Sequence, residues 1–190
     1  MADNYKLVVI GESSVGKSSL VARFVSGAFS SDEPPTIGAA FYRCKLDLES
    51  RTVYFEIWDT AGQEQYSCLT PVYYRDADAA LVVYDISKYD TFERARRWVN
   101  ELRQTVSDDV IVFVVANKLD LEHQRTISCS EGRTFAEENG CFFAEVSALT
   151  GGNVESTFTL LASKLPIKKV YSSGDYDIPV NLPPKSGCSC

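Results

Sequence analysis

The stretch Gly11 to Ser18, GESSVGKS, has the form Gly-x-x-x-x-Gly-Lys-Ser and constrains this chain more than any other. It follows the apolar run Tyr5-Lys6-Leu7-Val8-Val9-Ile10 and precedes a segment in which Leu20, Val21, Phe24 and Val25 recur at helical spacing. A strand, a tight loop and a helix are therefore expected in that order. A loop of this kind brings backbone N–H groups together at a helix N-terminus, where they solvate crowded negative charge without long side chains. Phosphate oxygens suit it. Gly11 and Gly16 allow close approach, Lys17 is a point charge for the outer phosphates, and the Ser18 hydroxyl is an oxygen ligand for Mg²⁺. Ser13, Ser14, Val15 and Ser19 are the remaining loop positions expected to line the phosphates.

The rest of the chain supplies a fold that can carry such a loop. From Phe41 to Glu49 the residues alternate, with Tyr42, Cys44, Leu46 and Leu48 on one face and Phe41, Arg43, Lys45 and Asp47 on the other. After a turn at Ser50-Arg51, Val53, Phe55 and Ile57 alternate with Tyr54, Glu56 and Trp58, so a hairpin is expected with Phe41 and Trp58 outside the core. Ala79 to Asp85 and Val110 to Ala116 are continuous apolar runs suited to strands covered on both faces. Between them Phe92, Ala95, Val99 and Leu102 fall at helical spacing, and Ser130 to Asn139 reads as a second such segment ended by Gly140. Cys141 to Val146 reads as a last strand, and Val154, Phe158, Leu161 and Leu165 mark a last helix. Strands alternating with helices predict an α/β fold: a mostly parallel, doubly wound six-stranded sheet with one antiparallel strand, flanked by helices and binding ligands at the strands' carboxyl ends.

Two further strand ends carry chemistry. Asp59, at the end of the strand through Ile57-Trp58, is placed to hold Mg²⁺ through its waters, as in the second motif of P-loop nucleotidases. Beyond it, the Gly62 N–H can approach a γ-phosphate, and the Gln63 amide, which both donates and accepts, suits alignment of an attacking water. Asn117-Lys118-Leu119-Asp120 follows another strand, and the Asp120 carboxylate can accept from guanine N1 and N2 but meets an acceptor on adenine. Ser147-Ala148-Leu149, after the last strand, offers a backbone N–H to the base's O6.

From Tyr5 to Leu165 these stretches, in this order, resemble the small Ras-like GTPases. The resemblance implies GTP and GDP as ligands with Mg²⁺, hydrolysis to GDP and phosphate, Ser18 and Thr36 as direct metal ligands, and Phe29 as the aromatic edge against guanine. It further implies Lys118 along the base and ribose, Lys17 and Gln63 as the catalytic residues, and two switch loops around Thr36 and Gly62, ordered by the γ-phosphate and released by hydrolysis. No arginine is evident in cis, so the family likeness implies one supplied by an activating protein, worth roughly 10³ to 10⁵ in rate.

TIGAAF at Thr36–Phe41, FEIWD at Phe55–Asp59, Tyr73-Tyr74-Arg75 and the terminal Cys188-Ser189-Cys190 look like a Rab, and GESSVGKSSLVARF with IGAAF looks most like the early-endosomal branch. In Rabs the positions of Phe41, Trp58 and Tyr73 form an effector-binding triad, and the likeness implies an exchange factor, a GTPase-activating protein, a prenylation escort, a GDP-dissociation inhibitor and effectors as partners. Cys188 and Cys190 resemble a double geranylgeranylation signal, and two lipids anchor stably where one binds marginally. They end a tail running from Pro166 to Cys190, rich in Ser, Gly, Pro, Asp and Lys, whose 22 residues before Cys188 span roughly 25 Å as a coil and about 75 Å stretched. Residues 1–165 are thus expected to form the GTPase domain. Ser13 and Ser14 stand where Ras carries glycine, Leu149 stands where lysine is common, and Pro34-Pro35 stiffens the first switch.

Composition narrows the class. At 190 residues, 45% hydrophobic and 24% charged, the chain suits one domain, and a net charge of −7 without a basic stripe argues against nucleic acid. No apolar run approaches the roughly 18 residues of a membrane span, and Met1-Ala2-Asp3-Asn4 is neither a signal peptide nor a myristoylation site. The cytosol and the cytoplasmic face of membranes, early endosomes first, are the expected location. Cys44, Cys68, Cys129 and Cys141 are scattered singly, which predicts free thiols with the first and last in the core; His123 is a solvated loop residue. Three other readings stay open: a P-loop kinase of a small metabolite, a non-hydrolysing GTP-bound scaffold, and a Rab of another compartment.

Overall fold

The computed structural model describes residues 2–31, 34–62, 73–107 and 109–168. Within them one six-stranded sheet runs in the order β2-β3-β1-β4-β5-β6. Its strands are β1 (Ala2–Gly11), β2 (Ala39–Asp47), β3 (Thr52–Thr60), β4 (Ala79–Asp85), β5 (Ile111–Asn117) and β6 (Phe142–Glu145). The helices are α1 (Lys17–Ser26), α2 (Tyr89–Thr105), α3 (Cys129–Glu138) and α4 (Val154–Lys164), with a 3₁₀ turn at Leu119–Gln124 that contains His123 where a plain loop was expected. Only β2 runs antiparallel; it pairs with β3 in the register Phe41↔Trp58 and Cys44↔Phe55, and the other neighbours are parallel.

Strand alternation sends successive side chains to opposite faces, and β1 uses both. Leu7 and Val9 join Phe55, Leu81 and Phe113 in a core covered by Leu20 and Val21 of α1 and by Phe158 and Leu161 of α4. Val8 and Ile10 join Val82 and Val114 under Phe92 and Val99 of α2 and Ala136 of α3. The hairpin has one covered face, so β2 alternates exposed Phe41, Arg43 and Lys45 with partly buried Tyr42, Cys44 and Leu46, as its sequence requires. Cys44, Cys129 and Cys141 are free thiols, and burial pushes Cys44 up to about 11, well away from the reactive thiolate.

Several boundaries differ from the sequence expectation for local reasons. Strand β1 begins at Ala2 because Asp3, although charged, is buried against the Arg51 guanidinium at 3.5 Å. Helix α3 begins at Cys129 because the Ser128 hydroxyl accepts the Glu131 N–H at 3.1 Å, an N-cap. The packed body reaches Lys168: Tyr5 donates its hydroxyl proton to the Pro166 carbonyl, and the Lys168 ammonium donates to the Asn4 carbonyl at 2.6 Å and pairs with Asp78 at 2.8 Å. Arg51, read from sequence only as a turn residue, donates to the carbonyls of Ala162 and Leu165 at 2.7 Å each and so pins the hairpin turn to the end of α4.

Tyr84 is fully buried and its hydroxyl has no hydrogen-bond partner among the described residues; burial pushes its pKa above the ordinary phenol value. An unsatisfied buried hydroxyl costs about 1–3 kcal/mol. Tyr84→Phe is therefore expected to stabilise the domain by about 1 kcal/mol, read as a higher urea midpoint with an unchanged slope. A lower midpoint would mean that the hydroxyl is bonded in solution.

Candidate functional site

The carboxyl ends of β1, β3, β4 and β5 deliver Gly11, Thr60, Asp85 and Asn117 to one edge of the sheet. The loop after β1 enters α1 through Gly16, whose left-handed φ of 91° disfavours a side chain; a Cβ there would also lie 2.5 Å from the Asn117 amide nitrogen. Because Gly16 is the N-cap, no side chain satisfies the first N–H groups of α1, and no acidic residue occupies its first turn. An anion is the natural partner of that helix end. Lys17 is 6% exposed and its ammonium donates to the carbonyls of Gly11 and Glu12 at 2.9 Å each. Burial draws its pKa down to about 8 against the opposing pull of Asp59 and Glu12, and phosphate charge beside it would restore the full ammonium.

Ser18, Thr36 and Asp59 meet at the same edge. The two hydroxyl oxygens are 2.8 Å apart, Ser18 donates to the Asp59 carboxylate at 2.5 Å, and Thr36 lies 3.4 Å from the same oxygen. Hard oxygens in contact are the donor set Mg²⁺ takes, and adjacent ligands in an octahedron with bonds of about 2.1 Å are roughly 3 Å apart. The residues fit that ion: Ser18 and Thr36 as direct ligands, Asp59 behind them accepting the Ser18 proton. A cleft of about 150 Å³ joins them to the phosphate loop, lined by Ser13, Ser14, Ser19, Pro34, Pro35 and Gly62 among others.

The loops carrying Thr36 and Gly62 are tied together directly. Ala61 N–H donates to the Gly38 carbonyl at 2.8 Å, and Gly62 lies so close on the phosphate loop that a Cβ would come within 2.5 Å of the Glu12 carbonyl carbon and the Ser13 nitrogen. Displacing either loop therefore disturbs the other. Glu12 holds its neighbour: its carboxylate accepts the Ser13 N–H at 2.8 Å and pairs with Arg94 of α2 at 3.2 Å.

The loops after β5 and β6 are joined to the phosphate loop through Asn117. Asn117 is buried; its amide donates to the Val15 carbonyl at 2.8 Å and its oxygen accepts the Ala148 N–H at 3.2 Å, so it joins the phosphate loop to the Ser147–Leu149 loop. Ser147 donates to the Asp120 carboxylate at 2.5 Å, which joins the loop after β5 to the loop after β6. Lys118, left-handed at φ 68°, pairs with Asp85 at 2.8 Å. Burial alone would raise the Asp85 carboxyl, but bonds from Lys118 and from the Ser87 hydroxyl and N–H hold it below the usual carboxylate range. Leu149 is half exposed, and Phe29 packs on the first core with the Arg23 guanidinium 5.9 Å from its ring.

A phosphate loop, a clustered hydroxyl-carboxylate set and an Asn-Lys-x-Asp loop on successive strand ends coincide with a family match: residues 6–167 fit the model of the Ras family. The chain belongs to the Ras family. It is 52% identical over 162 residues to Ras-related protein Rab-5A of Dictyostelium discoideum, covering 85% of this chain and 81% of that one. It is 50% identical over 163 residues to Ras-related protein RHN1 of Nicotiana plumbaginifolia, covering 86% and 82%. Like its family, the GTPase binds GTP and GDP with Mg²⁺ and hydrolyses GTP to GDP.

On the hairpin of this GTPase the three aromatic residues singled out from sequence come together. Phe41 and Trp58 are cross-strand partners with ring centres 5.3 Å apart, and Trp58 and Tyr73 are 5.8 Å apart. Phe41 is 52% exposed, as the alternation requires. Trp58 is more covered than expected, because Tyr73 lies on one side, the Lys6 ammonium is 5.7 Å from its ring, and both aromatics lean on the second core. Gln63, Cys68, Cys188 and Cys190 lie outside the described residues. Sequence reasoning missed Arg23 and Asp85. Asp85 ends an apolar strand as Asp59 does, which is the signal that would have found it.

Proposed function

We propose that this GTPase is a membrane-recruited switch of vesicle traffic acting at early endosomes. In this reading GTP holds Thr36 and Gly62 in place, the tie between Gly38 and Ala61 moves the two loops as one, and the effector face is displayed only in that state. The observation that carries the reading is adjacency: the loop of Thr36 runs straight into β2 and Phe41, and on β3 Trp58 directly precedes Asp59, so two of the three metal-set residues adjoin the strands that carry Phe41 and Trp58. Ile37, 81% exposed, and Phe41 extend that strip into solvent, and an exposed apolar strip of this size marks a partner site. Effectors are its occupants.

Within the site, Lys17 and the N–H groups of the phosphate loop bind and orient the phosphates, and Gln63 aligns the attacking water. Mg²⁺, when bound, neutralises charge developing on the phosphate oxygens. An exchange factor opens the cleft, an activating protein adds an arginine, and a GDP-dissociation inhibitor and prenylation escort handle two geranylgeranyl groups on Cys188 and Cys190. Identity to a protein named Rab-5A supports the endosomal assignment.

Gln63→Leu tests the cycle. Single-turnover hydrolysis of preloaded GTP is expected to slow at least tenfold while GTP affinity holds, and the GTP-loaded variant should retain effectors on immobilised protein. Unchanged hydrolysis would remove Gln63 from the mechanism, and equal partner capture in the GDP and GTP states would remove the switch.

A further inference from the structure

Arg23 belongs to none of the motifs, yet its guanidinium is heavily bonded at the base end of the site. On α1 it lies off the stripe of Leu20, Val21 and Phe24 that packs on the first core. Its Nε donates to the Ala148 carbonyl at 2.9 Å, one Nη to the Leu149 carbonyl at 2.6 Å and the other to the Gly27 carbonyl at 2.6 Å. The same group faces the Phe29 ring. The three bonds leave from three separate nitrogens of a planar fork; a lysine ammonium also has three donors, but all on one atom, and cannot span the same three carbonyls. The carbonyls belong to two segments: the Ala148–Leu149 loop after β6, and the end of α1 from which Phe29 departs.

We propose that Arg23 is a positioning residue for the guanine base, fixing the Ser147–Leu149 loop against α1 so that its N–H groups are held toward the base's O6. This rests on the reading that the Ser147–Leu149 loop receives O6. Without Arg23 the described tie on Ala148 is the 3.2 Å bond to the Asn117 oxygen. Asp120 lies on the 3₁₀ turn whose Leu119 N–H donates to the Val146 carbonyl at 3.0 Å, and its other partner, Ser147, is held by its own bonds to Gly152 and Gly151 at 3.0 and 2.9 Å; Arg23 touches neither the turn nor Ser147. Recognition of the O6 edge therefore depends on Arg23, and recognition of N1 and N2 by Asp120 does not.

The test measures dissociation of GDP, 6-thioguanosine diphosphate and inosine diphosphate from the full chain and from Arg23→Ala and Arg23→Lys. Sulfur is a weak acceptor in place of O6, and inosine lacks the exocyclic amine. In the unsubstituted protein the thio analogue should leave faster than GDP. In Arg23→Ala, GDP release should rise roughly tenfold, the size expected for losing one directed hydrogen bond in place. The GDP-to-thio ratio should fall toward one while the GDP-to-inosine ratio holds. Arg23→Lys keeps charge and fold and should lose the same ratio; if lysine restores it, the fork geometry is irrelevant and the inference falls. An equal rise for all three nucleotides would reduce Arg23 to a structural role and overturn it. If the unsubstituted protein fails to distinguish the thio analogue from GDP, the reading of the Ser147–Leu149 loop fails and takes the inference with it; retained discrimination in Arg23→Ala sinks the inference alone.

Discussion

Asp120→Asn is expected to lower GTP affinity by on the order of 10⁴-fold and to raise affinity for xanthosine triphosphate. A carboxylate at this position would accept from two guanine N–H groups, whereas an amide offers one acceptor and one donor, so the donor would face the guanine amine and leave a buried polar group unpaired. Xanthine carries a carbonyl where guanine carries that amine, and the same amide then finds a complementary edge. Ser147 can still donate to the oxygen of the introduced amide, so the loop keeps the contact seen with the carboxylate. Competition of unlabelled GTP and xanthosine triphosphate for the full chain measures the effect. Loss of both affinities together would mean that the substitution only damages the loop.

Ser18→Asn is expected to weaken GTP by about 10²-fold while GDP changes much less. Ser18 Oγ stands 2.8 Å from Thr36 Oγ1 and donates to Asp59, so it is the shared corner of the metal-binding set. A larger amide displaces both neighbours, and the loss of one charge-assisted contact with disordering of a second is worth about 3 kcal/mol. In the proposed switch the γ-phosphate holds Thr36 in this set, so GDP is expected to depend on Ser18 less. Mg²⁺ titration of nucleotide release checks this: the variant should lose its sensitivity to chelation. Equal weakening of GTP and GDP would remove Ser18 from the metal set.

The features read correctly from the sequence are those whose cause is local. A strand, a Gly-rich loop and a helix lie within a few residues of one another, so the phosphate loop was legible, and period-two alternation assigned Phe41 and Trp58 to the outer face of the hairpin. What escaped depends on distant partners. Arg23 bonds carbonyls 125 and 126 residues away, and Arg51 bonds carbonyls 111 and 114 away. Backbone carbonyls leave no trace in residue type, so no pattern announces them. Asp3 precedes the apolar run that marks the first strand, and only the distant Arg51 accounts for its burial.

The GTP switch is tested most directly by nucleotide loading and single-turnover cleavage by the purified full chain with Mg²⁺, using GTP and ATP in parallel. GTP is expected to load selectively and to be converted slowly to GDP and phosphate, with no comparable loading of ATP. Equal loading of ATP would contradict the role given to Asp120, and GTP that loads but is never cleaved would contradict the switch.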